Sequence, residues 1–140
     1  HGNSQIVPWS LIHFGGKPLA ELEENPNYVF DKDKVQEQTI KAGWVTYSGK
    51  GCTEYGISMT GATMVRAVLR DERKIMAASA PLDGEYSEKG IFCGVPSVIG
   101  ANGIEEVIEY NLPDDELKKF KACCATIRQN IANAEAFWKK

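Results

Sequence analysis

From Asn111-Leu112-Pro113-Asp114 to the carboxyl end, Leu117, Phe120, Cys124, Ile127, Ile131, Ala134 and Trp138 recur at intervals of three and four, an apolar stripe along one side of a long helix. Pro113 and the acids that follow it mark the first turn. A stripe of this length is unstable in water, so the chain must supply a broad apolar surface to cover it. The segments just upstream provide one. Lys74 to Leu82, Ile91 to Ile99 and Ile104 to Tyr110 read as strands. Asp83-Gly84 begins the turn after the first, and Gly100-Ala101-Asn102-Gly103 joins the last two, its glycines and asparagine suiting the positive φ angles of a tight hairpin. We expect three antiparallel strands with the terminal helix over them.

The first half is less regular. Gln5 to Phe14 reads as a strand that leaves through Gly15-Gly16 and Lys17-Pro18-Leu19, a hairpin. Glu21 to Asp33 is polar and punctuated by Asn25-Pro26-Asn27, a loop. From Asp33, Val35, Thr39, Ala42 and Val45 to Thr46 share one helical face until Ser48-Gly49-Lys50-Gly51 stops it. A second helix is expected near Thr53, whose hydroxyl would cap it, carrying Ile57, Ala62, Val65, Val68 and Leu69 to Arg70. A hairpin, two helices, three strands and a terminal helix, with no internal repeat, make an α+β class.

A chain of 140 residues, with 43% hydrophobic and 25% charged residues, suits one domain with a real core and excludes disordered, collagen-like and coiled-coil classes. A net charge of −3 provides no basic field for phosphates, which argues against nucleic-acid binding. The uncharged run from Ile91 is broken by Gly and Pro, so no membrane-spanning helix is expected there. The chain opens on His1 without an initiator Met, and we expect it to be cut from a longer polypeptide. Cysteines at 52, 93, 123 and 124 form no C-x-x-C, and the only histidines are His1 and His13, so neither a zinc site nor any other metal site is expected. Reduced thiols are the simplest account, and a bond between the adjacent Cys123 and Cys124 in a helix would be strained.

Few residues invite chemistry. His1-Gly2-Asn3-Ser4 places an imidazole beside small polar residues, directly before an apolar segment. An imidazole exchanges protons near neutral pH, and such a histidine is either an acid/base group or a chain end in solvent. Ser48 to Thr53 imitates a phosphate loop only faintly, since no Ser or Thr follows Lys50 directly. The mixed charges of Asp31 to Lys34 and of Asp114 to Lys119 read as solvated faces.

Three segments carry a resemblance. His1-Gly2-Asn3-Ser4-Gln5, Val7 and Trp9-Ser10 resemble the H-G-D-S…V-P-V-W-S stretch around the catalytic histidine of the L-lactate and malate dehydrogenase family. Gly49-Lys50-Gly51-Cys52-Thr53-Glu54-Tyr55-Gly56-Ile57 resembles that family's K-G-Y-T-S-W-A-I, and Val95-Pro96-Ser97-Val98-Ile99-Gly100-Ala101-Asn102-Gly103-Ile104 its V-P-x-x-I-G-x-x-G-I hairpin. The resemblance covers essentially residues 1–140, as the carboxyl-terminal substrate domain. It implies the family's α+β fold, and an amino-terminal NAD-binding Rossmann domain that is not in this chain.

The resemblance also implies roles. His1 would take the hydroxyl proton of an L-2-hydroxy acid as hydride leaves for NAD, and return it in reduction. Thr53 would lie beside the substrate, and Ile57 would pack against the nicotinamide ring. Asn3 stands where the family's commoner form has Asp, and Pro8 lies one place late; the string His1-Gly2-Asn3-Ser4-Gln5 more nearly resembles the L-2-hydroxyisocaproate dehydrogenase branch, which accepts bulkier 2-keto acids. The family's carboxylate partner of the histidine, its substrate-clamping and polarising arginines and its Gly-rich phosphate turn would all precede position 1. The implied parent is a cytoplasmic homodimer or homotetramer acting on lactate, malate or a branched acid. The competing expectation is a non-catalytic oligomerisation module whose second helix packs on a partner subunit.

Overall fold

The computed structural model describes residues 4–139. Its centre is a three-stranded antiparallel sheet in the order β3 (Lys74–Asp83), β4 (Lys89–Gly100), β5 (Gly103–Val107). Side chains alternate across β3, so Ala80 and Leu82 are buried and Pro81 is not. On β4, Ile91, Cys93 and Val95 face the same way, while Phe92 is exposed. The register runs from Lys74 opposite Ile99 to Leu82 opposite Ile91, as period-two patterning requires. Pro96 sits in the central strand, where a missing N–H would normally break the ladder. Its carbonyl accepts from Ile108 N–H at 2.9 Å, on the β5 side and beyond the last β5 pair, Ser97 with Val107. The absent donor therefore costs no bond to β3.

The hairpin between β4 and β5 is built differently from the expectation. Only Gly103 takes a positive φ, +87°, and neither Gly100 nor Asn102 does. Val98 opposes Glu106 while Ile99 opposes Ile104, so Glu105 is the extra residue of a bulge. Its carboxylate folds over the turn, lying 2.5 Å from where a side chain on Gly100 would begin, and pairs with Arg73 at 3.0 Å. Gly103 is thus needed for conformation, while a side chain at Gly100 would have to displace the Glu105 carboxylate from its place over the turn.

The terminal helix, α4 (Asp114–Trp138), covers the sheet with Phe120 and Cys124, which join Ala80, Leu82, Tyr86, Ile91, Cys93 and Val95 in one core. Tyr86 and Phe120 stack with ring centroids 4.7 Å apart. Tyr86 and Ser87 both adopt the left-handed conformation, which costs a non-glycine residue about 1–2 kcal/mol. Three hydrogen bonds hold the first in place: its N–H donates to Glu109, its hydroxyl to the Ile108 carbonyl, and Tyr110 N–H donates to that hydroxyl. The expected cover is only partial. Ile131, which lines a hollow with Phe92 of β4, and Trp138 are exposed, Trp138 by 81%.

The amino-terminal half departs further. The predicted strand over Gln5 to Phe14 is mostly irregular, with a 3-10 turn at Trp9–Leu11, where Pro8 leads in without an amide donor. Only β1 (His13–Phe14) and β2 (Lys17–Pro18) pair, across Gly15 and Gly16, both at positive φ. α1 (Leu19–Leu22) runs into the predicted loop, which also holds a 3-10 turn at Pro26–Tyr28 whose cap is Asn25. α2 spans Lys32–Lys50 and α3 spans Tyr55–Leu69. The side chain of Asp31 caps α2 at Lys34 N–H, 2.9 Å, and Gly51 ends it in the left-handed conformation at φ +75°. Ser48 and Gly49 therefore lie inside the helix they were expected to stop. No residue of α2 is buried, and α3 buries only Ala67. The predicted inner face of Val35, Thr39, Ala42 and Val45 covers nothing among the described residues, and Trp44 is 67% exposed.

Candidate functional site

His1 lies outside the described residues. The strip that leads away from it begins at Ser4, whose hydroxyl donates to the Cys123 sulfur at 3.5 Å, and continues through Ile6, which packs on the core. Between this strip, β4 and α4 is a hollow of about 660 Å³, lined in part by Gln5, Cys93, Cys123 and Asn130. Further along, Ser10 meets Glu116 on the first turn of α4. The backbone N–H and hydroxyl of Ser10 donate to the two carboxylate oxygens at 3.0 and 2.5 Å.

Glu116 corrects the sequence expectation. The run Asp114 to Lys119 was expected to be a solvated face, yet Glu116 is only 6% exposed. One signal could have found it: Glu116, Phe120 and Cys123 fall on one helical side, so the acid occupies an inward position.

Thr53 and Ile57 lie on the other arm of the chain. Thr53 is exposed and does not cap α3, whose cap position is Glu54 with no side-chain bond. The connection between α2 and α3 is instead held by Lys50, which pairs with Glu54 at 3.2 Å, and by the Cys52 thiol, which donates to the same carboxylate. Thr53 lines a shallow hollow of about 510 Å³ with Ile40, Gly43, Trp44 and Tyr47. Ile57, on the first turns of α3, is 70% exposed. Neither residue lines the hollow beside the Ser4–Ser10 strip, so the described residues do not bring the predicted site into one cavity. They also assemble no group of three His, Cys, Asp or Glu side chains suited to a metal ion. No helix among them is long and apolar enough to cross a membrane.

All four cysteines are thiols. Burial pushes Cys124 up to about 12, helped by the neighbouring Cys93 and Glu88, and burial also raises Cys93 and Tyr86. Cys52 is raised for another reason, its hydrogen bond to the Glu54 carboxylate. Cys52, Cys93 and Cys124 stay neutral at pH 7 and offer no ready nucleophile. The shifts have a stability consequence. Below the ordinary thiol value of 9.0 the folded and unfolded chains bind the same protons; above it the unfolded chain releases a proton that Cys124 keeps until about 12. Stability should therefore fall as pH rises from 9 toward 12. Urea midpoints measured from pH 8 to 11 should decline, and less steeply in Cys124→Ala; a flat wild-type curve would contradict the burial of this thiol.

The family model for the lactate/malate dehydrogenase alpha/beta C-terminal domain matches residues 1–138. The chain belongs to that family. Among proteins similar to it is L-lactate dehydrogenase 3 of Bacillus cereus, 44% identical over 123 residues, which are 86% of this chain and 39% of that protein. The minor L-lactate dehydrogenase of Enterococcus mundtii, solved in a ligand-bound form, superposes with a TM-score of 0.86 at 32% identity, over 92% of this chain and 42% of that one. The malate dehydrogenase of Salinibacter ruber superposes with a TM-score of 0.86 at 28% identity, over 99% of this chain and 45% of that one. The chain thus spans less than half the length of these relatives. The α+β class and the family expected from the three motifs are both borne out.

Proposed function

We propose that residues 1–140 are the substrate domain of an NAD-dependent L-2-hydroxy acid dehydrogenase of the L-lactate type, which interconverts a 2-hydroxy acid and its 2-keto acid. The observation that carries this reading is the family match over residues 1–138, which includes the His1-Gly2-Asn3-Ser4 segment. His1 is the proton donor and acceptor. A neutral imidazole accepts the hydroxyl proton and the imidazolium returns it to the keto oxygen, so one group serves both directions near neutral pH.

Thr53 contributes an exposed hydroxyl beside the substrate, and Ile57 an exposed aliphatic face against the nicotinamide ring. Both side chains are accessible in the fold, which fits a site completed by other parts of a longer polypeptide. NAD, when bound, supplies and accepts the hydride, and it is held mainly by a dinucleotide-binding domain preceding position 1. The apolar side chains that α2 and α3 leave exposed, Trp44, Val45, Met59 and Leu69 among them, fit burial in a cytoplasmic homodimer or homotetramer of the full-length enzyme.

The likeness to both lactate and malate dehydrogenases makes substrate choice the direct test. Full-length enzyme assayed with NADH and pyruvate, oxaloacetate or 2-ketoisocaproate should show its highest kcat/KM with pyruvate. A higher value with 2-ketoisocaproate would assign it to the branched-acid group that Asn3 suggests, and a higher value with oxaloacetate would make it a malate dehydrogenase. No NADH oxidation with any of the three would overturn the dehydrogenase reading.

A further inference from the structure

Two fastenings join the strip that leads back to His1 to the inner side of α4. At one end Ser10 gives both its backbone N–H and its hydroxyl to the buried carboxylate of Glu116. At the other, Ser4 gives its hydroxyl to the sulfur of Cys123. Glu116 and Cys123 are seven residues apart on the helix, a distance of about 10 Å. The strip therefore runs antiparallel to α4 across two of its turns, with the partly buried Ile6 packed against the core between the fastenings.

An acid is a costly filler for such a position. A buried carboxylate must be compensated by hydrogen bonds, whereas a leucine would pack against the core with no such demand. What the carboxylate adds is direction: two oxygens receive two donors of one residue, and a charge-assisted pair of this kind fixes orientation where an apolar contact allows sliding. A slide of the strip by one residue would shift residues 4–10 along α4 by about 3.5 Å.

We propose that Glu116 is a positioning residue for catalysis: by gripping Ser10 it sets the register of residues 4–10 along α4 and so the reach of the imidazole of His1 toward the substrate. The inference rests on the reading of His1 as the proton carrier. Because Glu116 touches neither substrate nor cofactor in this scheme, its loss should affect the chemical step and not nucleotide binding.

The test uses the full-length enzyme. Glu116→Ala should lower kcat with pyruvate by roughly ten- to a hundredfold, the scale of a misplacement near 1 Å, with NADH affinity within about twofold of wild type. The midpoint of its kcat/KM pH profile should also move, because the imidazole meets altered surroundings. Glu116→Gln keeps the length and one acceptor for the Ser10 N–H, and should recover most of the rate. Ser10→Ala removes one of the two bonds from an exposed residue, and should fall between them. If Glu116→Ala does not fold, Ser10→Ala and Glu116→Gln decide the matter by the same ordering and pH shift. Wild-type kcat, KM and pH profile in the folded variants, with only a lower melting temperature, would overturn the positioning role. The companion variant His1→Asn separates the two ideas: if it is inactive while the Glu116 and Ser10 variants are normal, only the positioning role falls, and if it is active the reading of His1 falls as well.

Discussion

Replacing His1 by asparagine in the full-length enzyme should reduce kcat by about 10²–10⁴-fold, the usual contribution of a positioned acid/base, while leaving the dissociation constant for NADH nearly unchanged. Asparagine can still donate a hydrogen bond to a keto oxygen, so the substrate is still polarised to some degree. It cannot deliver a proton at neutral pH, because its amide has no accessible ionisation. The deficit should therefore appear in kcat and kcat/KM together, the pattern of an interaction made only in the transition state. Single-turnover reduction of pyruvate, with nucleotide binding followed by NADH fluorescence, measures both quantities. A variant that keeps wild-type turnover would remove His1 from the mechanism.

The second large effect is a complete loss. The 140 residues expressed alone should show no pyruvate-dependent or 2-ketoisocaproate-dependent oxidation of NADH above background. No G-x-G-x-x-G segment occurs among their 13 glycines to cradle a pyrophosphate. The hollow beside Thr53 is lined by Ile40, Gly43, Trp44 and Tyr47, with no cation to grip a carboxylate. A proton carrier without a clamped substrate loses the entropic advantage of orientation, which can amount to about 7–11 kcal/mol of barrier. The check is an assay over a range of protein concentrations. A rate proportional to concentration would mean that these residues hold substrate and nucleotide by themselves.

Much of the sheet could be read from the chain because its physics is local. Alternation along β3 and the glycines between β4 and β5 announce strands and a turn, whatever else the protein does. The detail of that turn was hidden, since the bulge at Glu105 depends on a side chain reaching back over Gly100. The terminal helix was legible in extent but not in coverage: its apolar spacing continues through Ile131 and Trp138, which stay exposed, and periodicity carries no information about where a partner stops. Gln5 to Phe14 misled because β-branched and aromatic composition suits an irregular strip docked on a helix as well as it suits a strand. Thr53 was a good cap by type, and Glu54 holds the cap position instead, bound to Lys50 and Cys52.

The residues proposed to act in the site divide in the same way. His1, Thr53 and Ile57 were reached through the resemblance of three motifs, because a lone imidazole at the front of a chain has no geometry of its own. Glu116 was missed among the acids of a helix start, where the ordinary explanation is favourable interaction with the helix dipole. Only its inward position and its bonds to Ser10 distinguish it from Asp114 and Asp115, and those bonds join residues 106 positions apart.

The absence of any buried residue in α2 divides the molecule's cooperativity. With 19 residues it is barely longer than the length at which a helix becomes marginal on its own, and its closing features are local: an aspartate cap, a glycine stop and the pairing of Glu37 with Lys41. Backbone amides of the sheet and of the inner face of α4 share the global barrier to solvent exchange, whereas those of α2 can open without disturbing the sheet. α2 should therefore exchange its amides as a unit separate from the sheet, whereas α3 is tied to the sheet side through the fully buried Ala67.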